Sequence, residues 1–164
     1  MRMWMTAMLL LAAACNQPQS NLAEEEPSDS VNAVPDTLVA TPGPKACEIV
    51  STEELERIVG FDLEDGRTTN DYLGVSQCRW DRENGDEGGV SVTVRERGDM
   101  EIYRAVPGST PVTGIGDEAV WSESLNQLAF RRRERVMSVS LLFKPANRAM
   151  AEQIARIAAP RLEN

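Results

Sequence analysis

Hydrophobic and polar residues alternate along several short segments of the chain. Val90, Val92 and Val94 are separated by single polar residues, and residues 137–143 place an apolar residue at every second position. Such alternation is typical of a strand that buries one face and exposes the other. The pattern predicts strands near residues 73–82, 90–95, 118–122, 128–130 and 137–143, with a tight turn at 133–134.

Capping residues and apolar spacing predict a helix just before the first of these strands. Ser51 and Glu54 stand three positions apart, as in a capping box, and Gly60 is placed to end the helix. A further short helix is predicted at residues 98–105, with Met100 facing inward.

A third helix is predicted at the C-terminal end. Pro145 suits its first turn and Pro160 ends it, and from Met150 onward apolar residues repeat at i, i+4, i+7 and i+8. The predicted order is αββ(α)βββα. We therefore expect an α+β fold, in which an antiparallel sheet of five to six strands is covered by two or three helices.

The first residues of the chain have the features of an export signal. Residues 1–14 combine a positive charge at Arg2 with an apolar run too short to span a bilayer. The run ends in Leu-Ala-Ala-Ala directly before Cys15, which resembles the lipobox of bacterial lipoproteins. The resemblance implies that Cys15 becomes the first mature residue and carries fatty acids such as palmitate. The alternative is an ordinary cleaved signal followed by an incidental cysteine.

The residue after the lipidated cysteine bears on the membrane involved. Asn16 follows Cys15, whereas Asp at that position favours retention in the inner membrane of bacteria with two membranes. The resemblance therefore implies a protein on the periplasmic face of the outer membrane, held to it by its acyl chains.

Residues 15–44 are rich in proline and acidic residues, and their few apolar residues show no period. Such a segment buries too little apolar surface to offset the entropy of ordering it. We interpret it as an acidic tether with an end-to-end distance on the order of 30 Å. The alternative is a partner-recognition segment built on Glu24–Glu26.

Residues 45–164 are long enough for one domain with its own core. The whole chain has 17 basic and 26 acidic residues, and its net charge of -9 argues against nucleic acid as a partner. Histidine is absent, which excludes a Ser-His-Asp triad and removes the commonest metal ligand. We expect neither a metal nor a cofactor.

The three cysteines of the chain have two different predicted roles. If Cys15 is lipidated, Cys47 and Cys78 remain as a pair in an exported and therefore oxidising compartment. We predict a structural disulfide between them. A redox role is disfavoured because the chain has no Cys-x-x-Cys motif and no histidine to lower a thiol pKa.

The sequence Gly-Ile-Gly-Asp-Glu-Ala-Val-Trp at residues 114–121 is followed by a predicted hairpin and helix. Together with Cys47 before a helix and the later Cys-Arg-Trp at 78–80, it resembles a disulfide-bearing domain of bacterial envelope lipoproteins, many of actinobacterial type. That family has a Gly-x-Gly-Asp-Glu-Ala turn and no agreed biochemical activity. The resemblance over residues 45–162 therefore implies location and fold but no reaction.

Five residues around this turn and hairpin are candidates for ligand binding: Asp117, Glu118, Trp121, Arg131 and Arg133. The two carboxylates could bind a ligand or act in catalysis, and the arginines could contact an anionic partner such as a lipid headgroup. The structural alternative is that the glycines and Asp117 form a sharp turn and the arginines keep a hairpin end from pairing with other strands.

Two classes of function remain. The favoured one is a lipid-anchored, non-enzymatic envelope module that binds a protein or a small ligand. The other is an envelope hydrolase or lyase that uses Asp117, Glu118 and the arginines at 131–135. The sequence does not specify a ligand, a reaction or an oligomeric state.

Overall fold

The computed structural model describes residues 43–85 and 87–163. Within these ranges the chain forms four helices and seven strands. In chain order they are α1 (Ala46–Ile49), α2 (Thr52–Val59), β1 (Arg67–Tyr72), β2 (Val75–Asp81), β3 (Gly89–Arg95), α3 (Glu101–Arg104), β4 (Ser109–Val112), β5 (Glu118–Ser122), β6 (Gln127–Arg132), β7 (Arg135–Leu141) and α4 (Arg148–Ala158). Short 3₁₀ turns lie at Glu83–Gly85 and Ala159–Glu163.

All seven described strands belong to one antiparallel sheet with the order β1-β2-β3-β7-β6-β5-β4. The first three strands and the last four are each a run of hairpin-connected neighbours. The two runs join where β3 pairs with β7, with Val92 opposite Val139 and Thr93 opposite Ser138. The α+β class and the antiparallel sheet are confirmed.

One face of the sheet carries the main core. Helices α1 and α4 pack against this face and α2 packs against α4, and alternate residues of the strands point towards this layer, as the period-two pattern predicts. The largest side chains that are fully buried in this layer are Trp80, Phe130, Ile49, Leu55, Leu128, Met137, Leu141 and Ile154. Burial of such side chains is the main favourable contribution to folding.

The opposite face is mostly polar and carries only a small apolar cluster. Met100, at the start of α3, packs with Val120, Ala129 and Val136. The neighbouring positions hold small polar residues and amides, such as Gln77, whose side chain donates to Ser91 at 3.1 Å. Helix α3 therefore shields one part of a face that is otherwise polar.

Local signals in the sequence explain the ends of the longer helices. The predicted capping box of α2 is present, since Glu54 N donates to Ser51 Oγ and Ser51 N donates to the Glu54 carboxylate. Gly60 ends this helix with φ of 80°. Helix α4 begins at Arg148, after an Asn147 cap, so the prediction that Pro145 lies in its first turn was wrong.

The predicted number and order of elements were also wrong. The sheet has seven strands instead of five to six, the described residues form four helices instead of two or three because α1 was not predicted, and the observed order is ααβββαββββα. The two missed strands, β1 and β4, form the edges of the sheet. Every residue of β1 is exposed and β4 contains Pro111, so neither shows the alternation of a half-buried strand.

The predicted disulfide between Cys47 and Cys78 is confirmed. It joins α1 to the second strand, with a Cα–Cα distance of 5.1 Å. Cys78 is fully buried beside Trp80. Gly66 lies so close to this pair that a Cβ there would be 2.9 Å from Cys78 Sγ, so the segment before β1 covers the crosslink.

The predicted signal peptide at 1–14, the lipidated Cys15 and the tether up to residue 42 lie outside the described residues. Among the residues that the structure describes, no helix is both long enough and apolar enough to cross a bilayer.

Candidate functional site

Two hairpin turns and both ends of the described chain meet at one end of the sheet. These are the β1–β2 turn at 73–74, the β6–β7 turn at 133–134, Gly43 and the C-terminal residues 162–163. We call this the Gly43 end. A cavity of about 480 Å³ opens here, and its lining includes Leu73, Val75 and Leu162 as well as arginines 97, 132, 133 and 135.

The Gly-Asp sequence before β5 anchors the β6–β7 turn. Arg133 has a positive φ of 56°, and its backbone N donates to the Asp117 carboxylate at 2.6 Å. Asp117 N in turn donates to Arg131 O at 2.8 Å. A Cβ on Gly116 would clash with the same carbonyl oxygen, so only glycine fits there. Asp117 therefore has a structural role in holding this hairpin.

Two arginines of the cavity hold the C-terminal residues. Arg132 is paired with Glu163 and lies 3.3 Å from Asp117, and Arg135 donates to the Leu162 carbonyl oxygen at 2.5 Å. These contacts fix the floor of the cavity and leave Arg132 and Arg135 engaged within the domain.

Two further arginines at this end are largely exposed. Arg97 lies 3.9 Å from Glu134, and Arg133 lies 3.9 Å from Glu163. Ion pairs at such distances between exposed side chains contribute little to stability. Both guanidinium groups are therefore available to bind a carboxylate or a phosphate.

The tip of the β1–β2 hairpin is apolar and exposed. Tyr72 and Leu73 keep 71% and 82% of their surface accessible, the highest values among the exposed large hydrophobic residues of the domain as described. Neither this tip nor Arg97 was predicted from the sequence as part of a site. The signal available was an aromatic residue and a leucine directly before Gly74 at a turn, where polar residues are the usual choice.

A second cavity of about 290 Å³ lies beside the first and shares Leu73, Gly74 and Val75 with it. Its wall includes Lys45, which is 2.5 Å from Asp71. The hydrogen bond to the Asp71 carboxylate raises the pKa of Lys45 above its ordinary value.

The five predicted ligand-binding residues do not form a single site. Asp117 and Arg133 meet at the Gly43 end. Glu118 lies on the polar face of the sheet, where it accepts from Arg104 and lies 3.6 Å from Arg131.

Trp121 belongs to the core on the other face of the sheet. It is almost completely buried there, and its indole N–H donates to the Glu123 carboxylate at 2.7 Å. This places it away from the pair formed by Glu118 and Arg131, because successive residues of a strand point to opposite faces.

Across residues 43–85 and 87–163, no group of three or more His, Cys, Asp and Glu side chains is arranged to hold a metal ion. The carboxylates at the Gly43 end and on the polar face are instead placed next to arginines. The exposed guanidinium groups of these arginines can bind or position an anion.

Comparison with known proteins gives little guidance. No protein-family model and no curated protein sequence matches the chain. The structure is similar to the crystal structure of a GTP-binding regulator from Thermotoga maritima, with a TM-score of 0.38 and 13% sequence identity. The match covers 68% of this chain and 89% of that chain. A likeness this distant carries no argument about function.

Proposed function

We propose that this chain is a lipid-anchored protein of the bacterial cell envelope, whose folded domain is a non-enzymatic module that binds a protein or a small ligand. In this proposal residues 1–14 are a signal peptide, Cys15 carries the lipid, and residues 16–44 are a tether. The location that we propose is the periplasmic face of the outer membrane.

The disulfide is the observation that carries this proposal. Cys47 and Cys78 are joined within the domain, and disulfides persist in oxidising compartments outside the cytosol. Cys15 is then the single cysteine outside the crosslink, and it directly follows a run of small residues at the end of an apolar segment. Export and lipidation together account for all three cysteines.

The cavity at the Gly43 end supports a binding role. Its volume of about 480 Å³ is within the range of small-molecule sites, and apolar and cationic side chains share its wall. Arg97 and Arg133 are placed to bind a carboxylate or phosphate, and Leu73 and Val75 to contact an apolar group. The ligand chemistry that fits is an anion with an apolar portion, free or as part of a protein.

The arrangement of the carboxylates favours binding over hydrolysis. A carboxylate-dependent hydrolase needs two acidic groups that converge on one substrate. Asp117 accepts hydrogen bonds that hold a turn, whereas Glu118 is paired with Arg104 and Arg131 on the polar face of the sheet.

Mass spectrometry of protein extracted from membranes tests the anchor. The wild-type chain is expected to begin at Cys15 and to carry the added mass of a diacylglycerol and an amide-linked fatty acid. The Cys15→Ser variant is expected to lack this mass and to leave the membrane fraction. A wild-type mature form that is soluble and unmodified would refute the proposal.

Photo-cross-linking in intact cells tests the binding role. A photoreactive residue in place of Arg97, at the cavity, is expected to give a discrete adduct with a protein or a small molecule. The same residue in place of Arg57, an exposed position on α2, serves as the control. Identical adducts at both positions would show that the cavity is not the binding site.

A further inference from the structure

We propose that the tip of the β1–β2 hairpin, Tyr72 and Leu73, docks into the headgroup layer of the bilayer that holds the lipid anchor. This inference rests on the proposed anchor at Cys15. It goes beyond that anchor because it assigns a second, non-covalent membrane contact to the folded domain and therefore an orientation on the membrane.

The conformation of the tip points to a role other than stability. Leu73 and Gly74 are the two central residues of the turn and both have positive φ, 50° and 72°. Turns of this kind favour Asn or Asp followed by Gly, because most side chains disfavour the left-handed region. Leucine at this position is therefore strained, and at 82% exposure it gains almost nothing from burial. An apolar side chain kept at a strained, exposed position indicates a contact outside the domain.

The position of the tip in the fold supports the bilayer as its partner. Gly43, the first described residue, lies at the same end of the sheet. Its N–H donates to the Glu96 carboxylate at 3.2 Å, and it packs directly against the Arg135 guanidinium. The 27 residues between Cys15 and Gly43 would have an end-to-end distance of about 30 Å if they form the spacer that their composition predicts. This distance is similar to the diameter of a small domain. The tether therefore favours orientations in which the Gly43 end is closer to the membrane.

The side chains around the tip match the chemistry of a headgroup layer. Tyrosine is enriched at membrane–water interfaces, where its ring lies among the headgroups and its hydroxyl is hydrated. Arg97 and Arg133 flank the same cavity as Leu73 and can bind lipid phosphates. Glu96 and Glu134 offset their charge, so we expect the contact to depend mainly on the two apolar side chains.

Tryptophan fluorescence in vesicles tests this contact. The mature acylated protein, which begins at Cys15 and therefore lacks Trp4, is reconstituted in phosphatidylethanolamine–phosphatidylglycerol vesicles, with or without bromine on the acyl chains as a quencher. Tyr72→Trp places a reporter at the tip. Leu125→Trp is the matched control, since Leu125 is also exposed, at 51%, but lies in the β5–β6 turn at the opposite end of the sheet. Trp80 and Trp121 are buried and provide the same background in every variant.

The emission of the Tyr72→Trp reporter is expected to shift to the blue on vesicles and to be quenched by the brominated lipids. The emission of the Leu125→Trp control is expected to be the same in both kinds of vesicle. Adding Leu73→Asn to Tyr72→Trp is expected to reduce this quenching, because asparagine suits the turn but removes its apolar side chain. Equal emission of the tip reporter in both kinds of vesicle, in a protein that floats with the vesicles, would overturn the docking and leave the anchor intact. A protein that neither carries the lipid nor floats with the vesicles would overturn both.

Discussion

The contribution of the Cys47–Cys78 disulfide to stability can be worked out from the length of the loop that it closes. The two cysteines are separated by 31 positions. Closing a loop of that length in the unfolded chain removes conformational entropy equivalent to about 3.7 kcal/mol at 25 °C. Domains are typically stable by about 5–15 kcal/mol, so reduction of this one bond is expected to remove a large fraction of the free energy of unfolding.

Urea unfolding, followed by the fluorescence of the buried Trp80 and Trp121, measures this loss. The Cys15→Ser variant leaves only the disulfide pair, and it is unfolded with and without reductant. With a urea dependence of about 1.5 kcal/mol per molar, the midpoint is expected to fall by about 2.5 M on reduction. Adding Cys47→Ala gives a control whose midpoint does not respond to reductant.

A change below about 1 kcal/mol on complete reduction would refute the reasoning from loop entropy, because the predicted effect is more than three times larger. Two thiols that react with an alkylating agent in the unfolded, unreduced protein would refute the disulfide itself.

Three further predictions concern single substitutions. Arg161 donates two hydrogen bonds to Glu54 and lowers the pKa of that carboxyl from 4.5 to about 2. The ionised pair therefore stabilises the fold above pH 4.5, and this contribution is lost as the pH falls towards 2. Glu54→Gln keeps a side-chain acceptor for the capping box and is expected to lose less stability over this interval in acid titrations. Gly116→Ala is expected to destabilise more than Gly60→Ala in urea unfolding, because both have positive φ but only the first would clash with a backbone carbonyl. Leu73→Asn is expected to raise the free energy of unfolding by about 1 kcal/mol, since it relieves a left-handed leucine.

Each of these expectations has an outcome that contradicts it. An acid titration of Glu54→Gln as steep as that of the wild type would show that the ion pair does not set the acid stability. Equal losses for the two glycine variants would mean that the backbone at residue 116 can move away. A lower stability of Leu73→Asn would mean that the leucine has a packing role within the domain, and the argument for an external contact would fail.

The extent to which the fold could be predicted depended on burial. Five of the seven described strands were predicted because their apolar residues lie in the core; in β3 these recur at every second position, as Val90, Val92 and Val94, whereas β5 is a short run with apolar residues on both faces. The edge strands β1 and β4 gave no such signal. β1 is exposed along its whole length, and Pro111 in β4 is tolerated because an edge strand leaves some N–H positions unpaired.

The candidate site was predictable only in part, for a geometric reason. Sequence proximity grouped Asp117, Glu118 and Trp121 together, but the sheet separates them into a turn, a polar face and a core face. Conversely, Leu73 lies in the β1–β2 turn and Arg97 in the loop after β3, and the two line one cavity only because of the strand order. Local patterns report local structure, whereas a cavity at the end of a sheet depends on long-range pairing.

The placement of the crosslink also affects how the chain folds as it emerges. Cys47 in α1 and Cys78 in β2 both belong to the part of the domain that is synthesised first, in which β1, β2 and β3 pair with their neighbours in sequence. Oxidation can therefore begin before the last four strands exist. The remaining step, the pairing of β3 with β7, then adds the C-terminal half to a template that already contains the crosslink.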